Sequence, residues 1–223
     1  MTKATSKAKV RSVASSKTKP RPQLPKTPTG IRGFDEITGG GLPTGRPTLV
    51  CGGPGCGKSV FGIEFLVNGA TQYNEPGVLM SFQESAEELT SNVASFGYDL
   101  AELIQRKKLV IDCVHVERSE IEEAGNYDLE GLFIRMGHAI DSIGAKRVVL
   151  DSIESLFCSL PNPRILRAEL SRLFRWLKAK GVTAIITGES GESSVGSVGS
   201  VGSVGSVGSV GSVGSVGSVG SVG

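Results

Sequence analysis

Residues Gly52 to Ser59 read "GGPGCGKS", with glycine, glycine, lysine and serine at the spacing G-x-x-x-x-G-K-[ST]. Residues of these types at this spacing do phosphate chemistry. Gly52, Gly53, Gly55 and Gly57, with Pro54 and Cys56 between them, let backbone N–H groups turn inward around phosphate oxygens. A helix opening straight after the loop adds the positive end of its dipole. Lys58 would reach the β- and γ-phosphates of ATP, and the Ser59 hydroxyl would serve Mg²⁺. Two carboxylates extend the set. Asp151 closes the apolar run "RVVLD", where a carboxylate at a strand end would hold Mg²⁺ as a Walker B residue does. Glu84 stands in "SFQES", where it would orient or deprotonate the attacking water. A carboxylate at that point also suits the start of a helix for dipole reasons alone, and the residues leave both readings open.

The elements that must position these groups follow from hydrophobic pattern. Five short apolar runs predict strands: 47–51, 78–82, 108–112, 147–151 and 182–187. Each run is nearly continuous rather than alternating, which suits a parallel sheet covered on both faces. A helix is expected from Lys58 to Gly69. Another opens at Ser85, where "SAEE" forms a capping box with Glu88, and continues through Leu89, Val93 and Phe96 at helical spacing. Asp128 caps a third, with Leu129, Leu132, Phe133, Met136 and Ile140 on one stripe. Ile165, Leu166, Leu170, Leu173, Phe174 and Leu177 form a fourth stripe, stopped at Gly181. The stripes read as core faces. Strand and helix alternate from 47 to 187, the order of an open, doubly wound α/β sheet.

Composition sets the limits. The chain has 223 residues, enough for one sizeable α/β domain. Residues 1–29 carry eight Lys or Arg and no acid, with many Ser, Thr and Pro, and read as a disordered basic arm. Taking those eight from 24 basic residues leaves 16 against 22 acidic, a net charge of −6 for the remainder. Residues 194–223 are ten copies of Ser-Val-Gly, a low-complexity coil; they lack the proline that a collagen reading needs. The division expected is an arm at 1–29, an ATPase domain at 30–192 and a disordered tail at 193–223. Cys51, Cys56, Cys113 and Cys158 show no C-x-x-C spacing, and His115 and His138 are the only histidines, so a structural zinc site is not expected. His115 reads as a strand-end residue. The cysteine pattern fits a cytoplasmic protein with reduced thiols, and with no secretory h-region and no window of about 18 apolar residues, no membrane span is expected.

With these residues in place, a resemblance emerges. "GIRGFDEITGGGLPTGRPTLVCGGPGCGKSVFGIEFLVNG", "EPGVLMSFQES", "NVASFGYDL" and "RVVLDSIESLF" resemble the KaiC circadian-clock ATPases of the RecA-like group, in the same order, over about residues 30–190. The resemblance implies a RecA-like P-loop fold: a mostly parallel sheet with helices on both faces. It implies slow ATP hydrolysis with Mg²⁺, hexameric rings with nucleotide between subunits, and, in members with two tandem domains, phosphorylation of their own Ser and Thr. Clock-type or signalling proteins are the partners it implies. Ser95 matches a serine near the nucleotide in that family.

Two departures from the family pattern stand out. The family shows two adjacent glutamates after the second strand, the first acting as base; here they are Gln83 and Glu84. Glutamine orients water but does not take its proton. After "TAIITGES" the family continues with further strands, whereas this chain runs into Ser-Val-Gly, so the sheet is expected to be incomplete at its C-terminal end with one edge exposed. The leading expectation is a Mg²⁺-dependent ATPase, including the autokinase form. The alternative is a nucleotide-gated interaction module with little turnover, favoured by Gln83 and by the missing C-terminal strands. A recombinase-like DNA-binding ATPase stands third, supported only by the basic arm.

Overall fold

The computed structural model describes residues 24–114, 130–157 and 163–189. Five strands form one sheet: β3 (Pro47–Gly52), β4 (Gly77–Ser81), β5 (Leu109–Cys113), β6 (Arg147–Asp151) and β7 (Thr183–Glu189). Their spatial order is β3-β7-β6-β4-β5, and every neighbouring pair is parallel. All five expected strands are present, each within two residues of its expected bounds. The runs are continuous because both faces are covered: every residue of β4 and β6 is buried. The outer edge of β3 has no strand against it among the described residues, and β3 is half-buried along most of its length.

Side-chain alternation sorts the core into two layers. Leu79, Val149 and Ile185 point to one face, against α2 (Lys58–Gln72), α3 (Ala86–Ala94) and α4 (Leu100–Gln105), through Phe65, Leu66, Leu89, Val93 and Leu103. Val78, Val148, Leu150, Ala184 and Ile186 point to the other. They meet Phe133, Met136 and Ile140 of α5 (Glu130–Ile143) and Leu173 and Leu177 of α7 (Pro163–Lys180). Each such side chain contributes about 1.5–3 kcal/mol by leaving water. Helix α2 lies so close to β6 that a Cβ on Gly62 would sit 2.8 Å from Val149 Cγ1. Between Asp151 and α7 lies a single-turn helix, α6 (Ile153–Phe157).

Two expectations change. Phe96 does not continue the α3 stripe: the helix ends at Ala94, and Phe96 is exposed, stacked on Tyr98 with centroids 6.4 Å apart. The boundary drawn at residue 29/30 falls inside the fold. Strand β1 (Lys26–Thr27) pairs antiparallel with β2 (Leu42–Pro43), and Thr27 and Thr29 are buried. Gly41 permits this pairing, since a Cβ there would lie 2.1 Å from Thr27 O. The segment runs on through α1 (Phe34–Thr38), an element with no fully buried residue, whose Phe34 packs on Phe61 with ring centroids 5.1 Å apart. The disorder reading failed here because polar groups in this segment have buried partners. Arg147 donates to Pro28 O at 2.8 Å, Asn68 donates to Thr29 O at 3.2 Å, and Thr27 shares a hydroxyl contact of 3.0 Å with Thr183. The expectations for residues 1–23, His115, Asp128, Leu129, Cys158 and the Ser-Val-Gly repeat lie outside the described residues, as do the side chains of Ile165 and Leu166.

Candidate functional site

The site lies at the C-terminal ends of the parallel strands, where an open α/β sheet leaves a crevice. Strand β3 ends at Gly52, the chain turns through Gly53–Gly57, and α2 begins at Lys58. Gly55 and Gly57 have φ of 70° and 88°, a conformation glycine adopts at no steric cost. A Cβ on Gly52 would fall 2.3 Å from Cys56 Sγ, so the thiol packs where only glycine leaves room. Lys58 Nζ donates to Gly52 O at 3.0 Å and Gly53 O at 2.9 Å, which holds the ammonium against the loop. The 15-residue α2 directs its positive end at the same turn.

Three other strand ends meet this loop in a cleft of about 170 Å³. The loop and α2 contribute Pro54, Gly55, Lys58 and Ser59. The exit of β4 contributes Ser81, Gln83 and Glu84; the exit of β6 contributes Asp151 and Ser152; β7 contributes Glu189. The two candidate carboxylates, the candidate lysine and the candidate serine therefore share one cavity. Gly52, Gly53, Cys56 and Gly57 shape the turn without lining it. Ser95 does not join them: it caps the C-terminal end of α3, its hydroxyl donating to Asn92 O at 3.3 Å.

Local bonds set each side chain. Asp151 is buried and accepts from the Thr187 hydroxyl of neighbouring β7. The turn carrying Glu84 is held by Ser81, whose hydroxyl donates to Glu84 O at 2.7 Å and accepts from Glu84 N at 3.2 Å. Phe82 N donates to Asp151 O at 2.9 Å and ties that turn to β6. Ser85 then caps α3, accepting from Glu88 N at 3.2 Å while Glu88 Oε2 accepts from Ser85 N at 2.9 Å, the expected capping box. Burial, then the charges of Asp151 and Glu88, raise the Glu84 carboxyl above its ordinary value. The Gln83 amide donates to Ser155 Oγ at 2.7 Å.

Sequence reasoning missed several of these groups. Ser81 and Thr187 were legible as single polar residues near the ends of apolar runs, a mild signal that a hydroxyl is being used. Glu189 and the buried, unpartnered Ser152 hydroxyl carried none. Among the described residues no group of three or more His, Cys, Asp or Glu is assembled as a self-sufficient metal site. Ser59 and Asp151 are oxygen donors of the kind Mg²⁺ takes together with phosphate. No helix among the described residues is long and apolar enough to cross a membrane.

Comparison with known proteins agrees with this geometry. The family model "ATPase: KaiC" matches residues 27–202, a stretch that begins within β1. The Synechocystis circadian clock protein KaiC2 is 65% identical over 166 residues, 74% of this chain and 29% of that protein. The circadian clock oscillator protein KaiC of Prochlorococcus marinus is 44% identical over 167 residues, 75% of this chain and 34% of that one. KaiC of Thermosynechococcus vestitus is 42% identical over 167 residues, 75% and 32% respectively. The chain thus spans about a third of the length of these relatives. A parallel sheet with helices on both faces and a phosphate loop after β3 is the RecA-like P-loop fold, and the chain belongs to the KaiC ATPase family.

Proposed function

We propose that the cleft binds ATP with Mg²⁺ and hydrolyses it. The observation that supports this most is the convergence of Lys58, Ser59, Glu84 and Asp151 from separate elements on one cavity at the strand ends. In this reading the loop N–H groups hold the phosphates, and Lys58 leaves Gly52 O and Gly53 O to neutralise the β- and γ-oxygens. Ser59 and Asp151 would hold Mg²⁺, which supplies charge neutralisation on the phosphate oxygens when bound. Glu84 orients the attacking water and takes its proton. Its raised pKa makes it the stronger base once ionised. The same cradle serves transfer to a serine or threonine in place of water, the autokinase form of the reading. A ring of subunits with nucleotide between them, and clock-type protein partners, belong to this reading through the family.

Release of γ-phosphate from Mg-ATP tests it: the parent is expected to turn over, Lys58→Ala to stop. A second reading has its own observation. Gln83, at the position of the family's base, is engaged with Ser155 instead. ATP binding without phosphate release would favour a nucleotide-gated interaction module over the enzyme.

A further inference from the structure

The single-turn α6 is far shorter than a helix that sustains itself in water, so tertiary contacts must hold it. Ile153 anchors its start in the core, and two side-chain hydrogen bonds add ties on either flank. On one flank Glu154 Oε1 accepts from Glu189 N, at the end of β7. On the other, Gln83 Nε2 donates to Ser155 Oγ at 2.7 Å, joining the exit of β4 to α6 across 72 residues of chain. Asp151 and Ser152 lead directly into this helix, and Phe82 N already binds Asp151 O at 2.9 Å. The turn bearing Glu84 and the wall bearing Asp151 are therefore joined once by backbone and once by Gln83. We propose that Gln83 is a positioning residue: its amide latches α6 to the β4 exit, fixes Glu84 relative to Asp151, and does not itself act on water. This rests on the hydrolysis reading of the cleft. An amide suits the task better than a carboxylate. It supplies a donor to Ser155 without adding another negative charge beside Glu84 and Asp151.

The test uses the full 223-residue chain with Gln83→Ala, Ser155→Ala, the double variant and Ser155→Thr. Amide hydrogen exchange over residues 153–157 and steady-state ATP turnover are both read. The latch predicts that each alanine variant speeds exchange in 153–157 several-fold while β3 and α2 exchange as in the parent. Each should lower kcat about 5–10-fold with KM for ATP within about 2-fold, and the double should be no slower than the slower single. Ser155→Thr keeps the hydroxyl and should behave as the parent. Unchanged exchange in both single variants, additive losses in the double, or a slow Gln83→Ala beside a normal Ser155→Ala would each overturn the latch. Absence of phosphate release from the parent would instead remove the hydrolysis reading, and with it the catalytic consequence of the latch, whatever exchange shows.

Discussion

In the proposed hydrolysis Glu84 would act as a base only when ionised, and its surroundings resist ionisation. Burial comes first, then Asp151, then Glu88. The acid limb of the pH–rate profile should therefore lie above the ordinary carboxyl value of 4.5, with kcat/KM rising as pH climbs through it. Glu88→Gln isolates one contribution. Glutamine still closes a capping box, so α3 keeps its cap, but a negative charge near Glu84 is gone. The limb should move to lower pH with thermal stability nearly unchanged. A limb that stays put would show that the limiting ionisation belongs to another group. Glu84→Gln removes the proposed base and should slow turnover by about 10²–10⁴-fold while ATP still binds. Equilibrium binding alongside single-turnover kinetics separates those two effects.

At the scale of the element, the helix that follows Glu84 depends on its first turn. The Ser85 hydroxyl satisfies Glu88 N, one of the helix's unpaired donors. Ser85→Ala should cost about 1 kcal/mol, read as a lower midpoint in urea without a change in slope. This cap was legible from "SAEE" because all its partners lie within four residues. The phosphate loop was legible for the same reason: glycine, lysine and serine carry the whole geometry in eight consecutive positions. Strands β4 and β6 were legible because burial on both faces leaves an unbroken apolar run. Contacts made across the sheet were not. Thr187 reaches Asp151, Gln83 reaches Ser155 and Glu154 reaches Glu189 only because β6 lies between β4 and β7, an order no local pattern records. Phe96 misled for a related reason. Its helical spacing continued beyond the residue where the helix stops.

At the scale of the molecule, the N-terminal segment is fastened to the sheet end opposite the cleft. Asp35 Oδ1 accepts from Thr29 N at 2.9 Å and Thr29 Oγ1 at 2.7 Å, and Oδ2 accepts from Gly30 N at 2.9 Å. Burial alone would raise this carboxyl. The three hydrogen bonds, with Arg147 nearby, outweigh it and lower the value. A lowered carboxyl stabilises the fold above its unfolded value, near 3.8, and loses that contribution as pH falls through the folded value. Asp35→Asn should therefore weaken the protein at neutral pH and flatten the acid limb of its stability curve, measured by thermal melts from pH 7 downward.

Arg147 carries more of this fastening. It is fully buried at the start of β6, its Nε donating to Glu75 at 2.7 Å, Nη1 to Phe65 O at 2.9 Å and Nη2 to Pro28 O at 2.8 Å. Its guanidinium carbon lies 4.5 Å from the Phe65 ring centroid, and Gly69 leaves space for its stem, since a Cβ there would fall 2.4 Å from Arg147 Cδ. One planar group thus joins α2, the turn before β4 and the N-terminal segment. A lysine has one nitrogen and no fork, so it does not reach three acceptors lying in three directions. Arg147→Lys should lose about 3 kcal/mol or more, because two carbonyls and a carboxylate lose their buried donor. Gly69→Ala should destabilise through the same contact by pushing the stem aside. Chemical unfolding of both variants and their double checks the claim. The double should lose less than the sum of the singles, because both changes disrupt one packed unit; strictly additive losses would mean that the arginine and the glycine act separately.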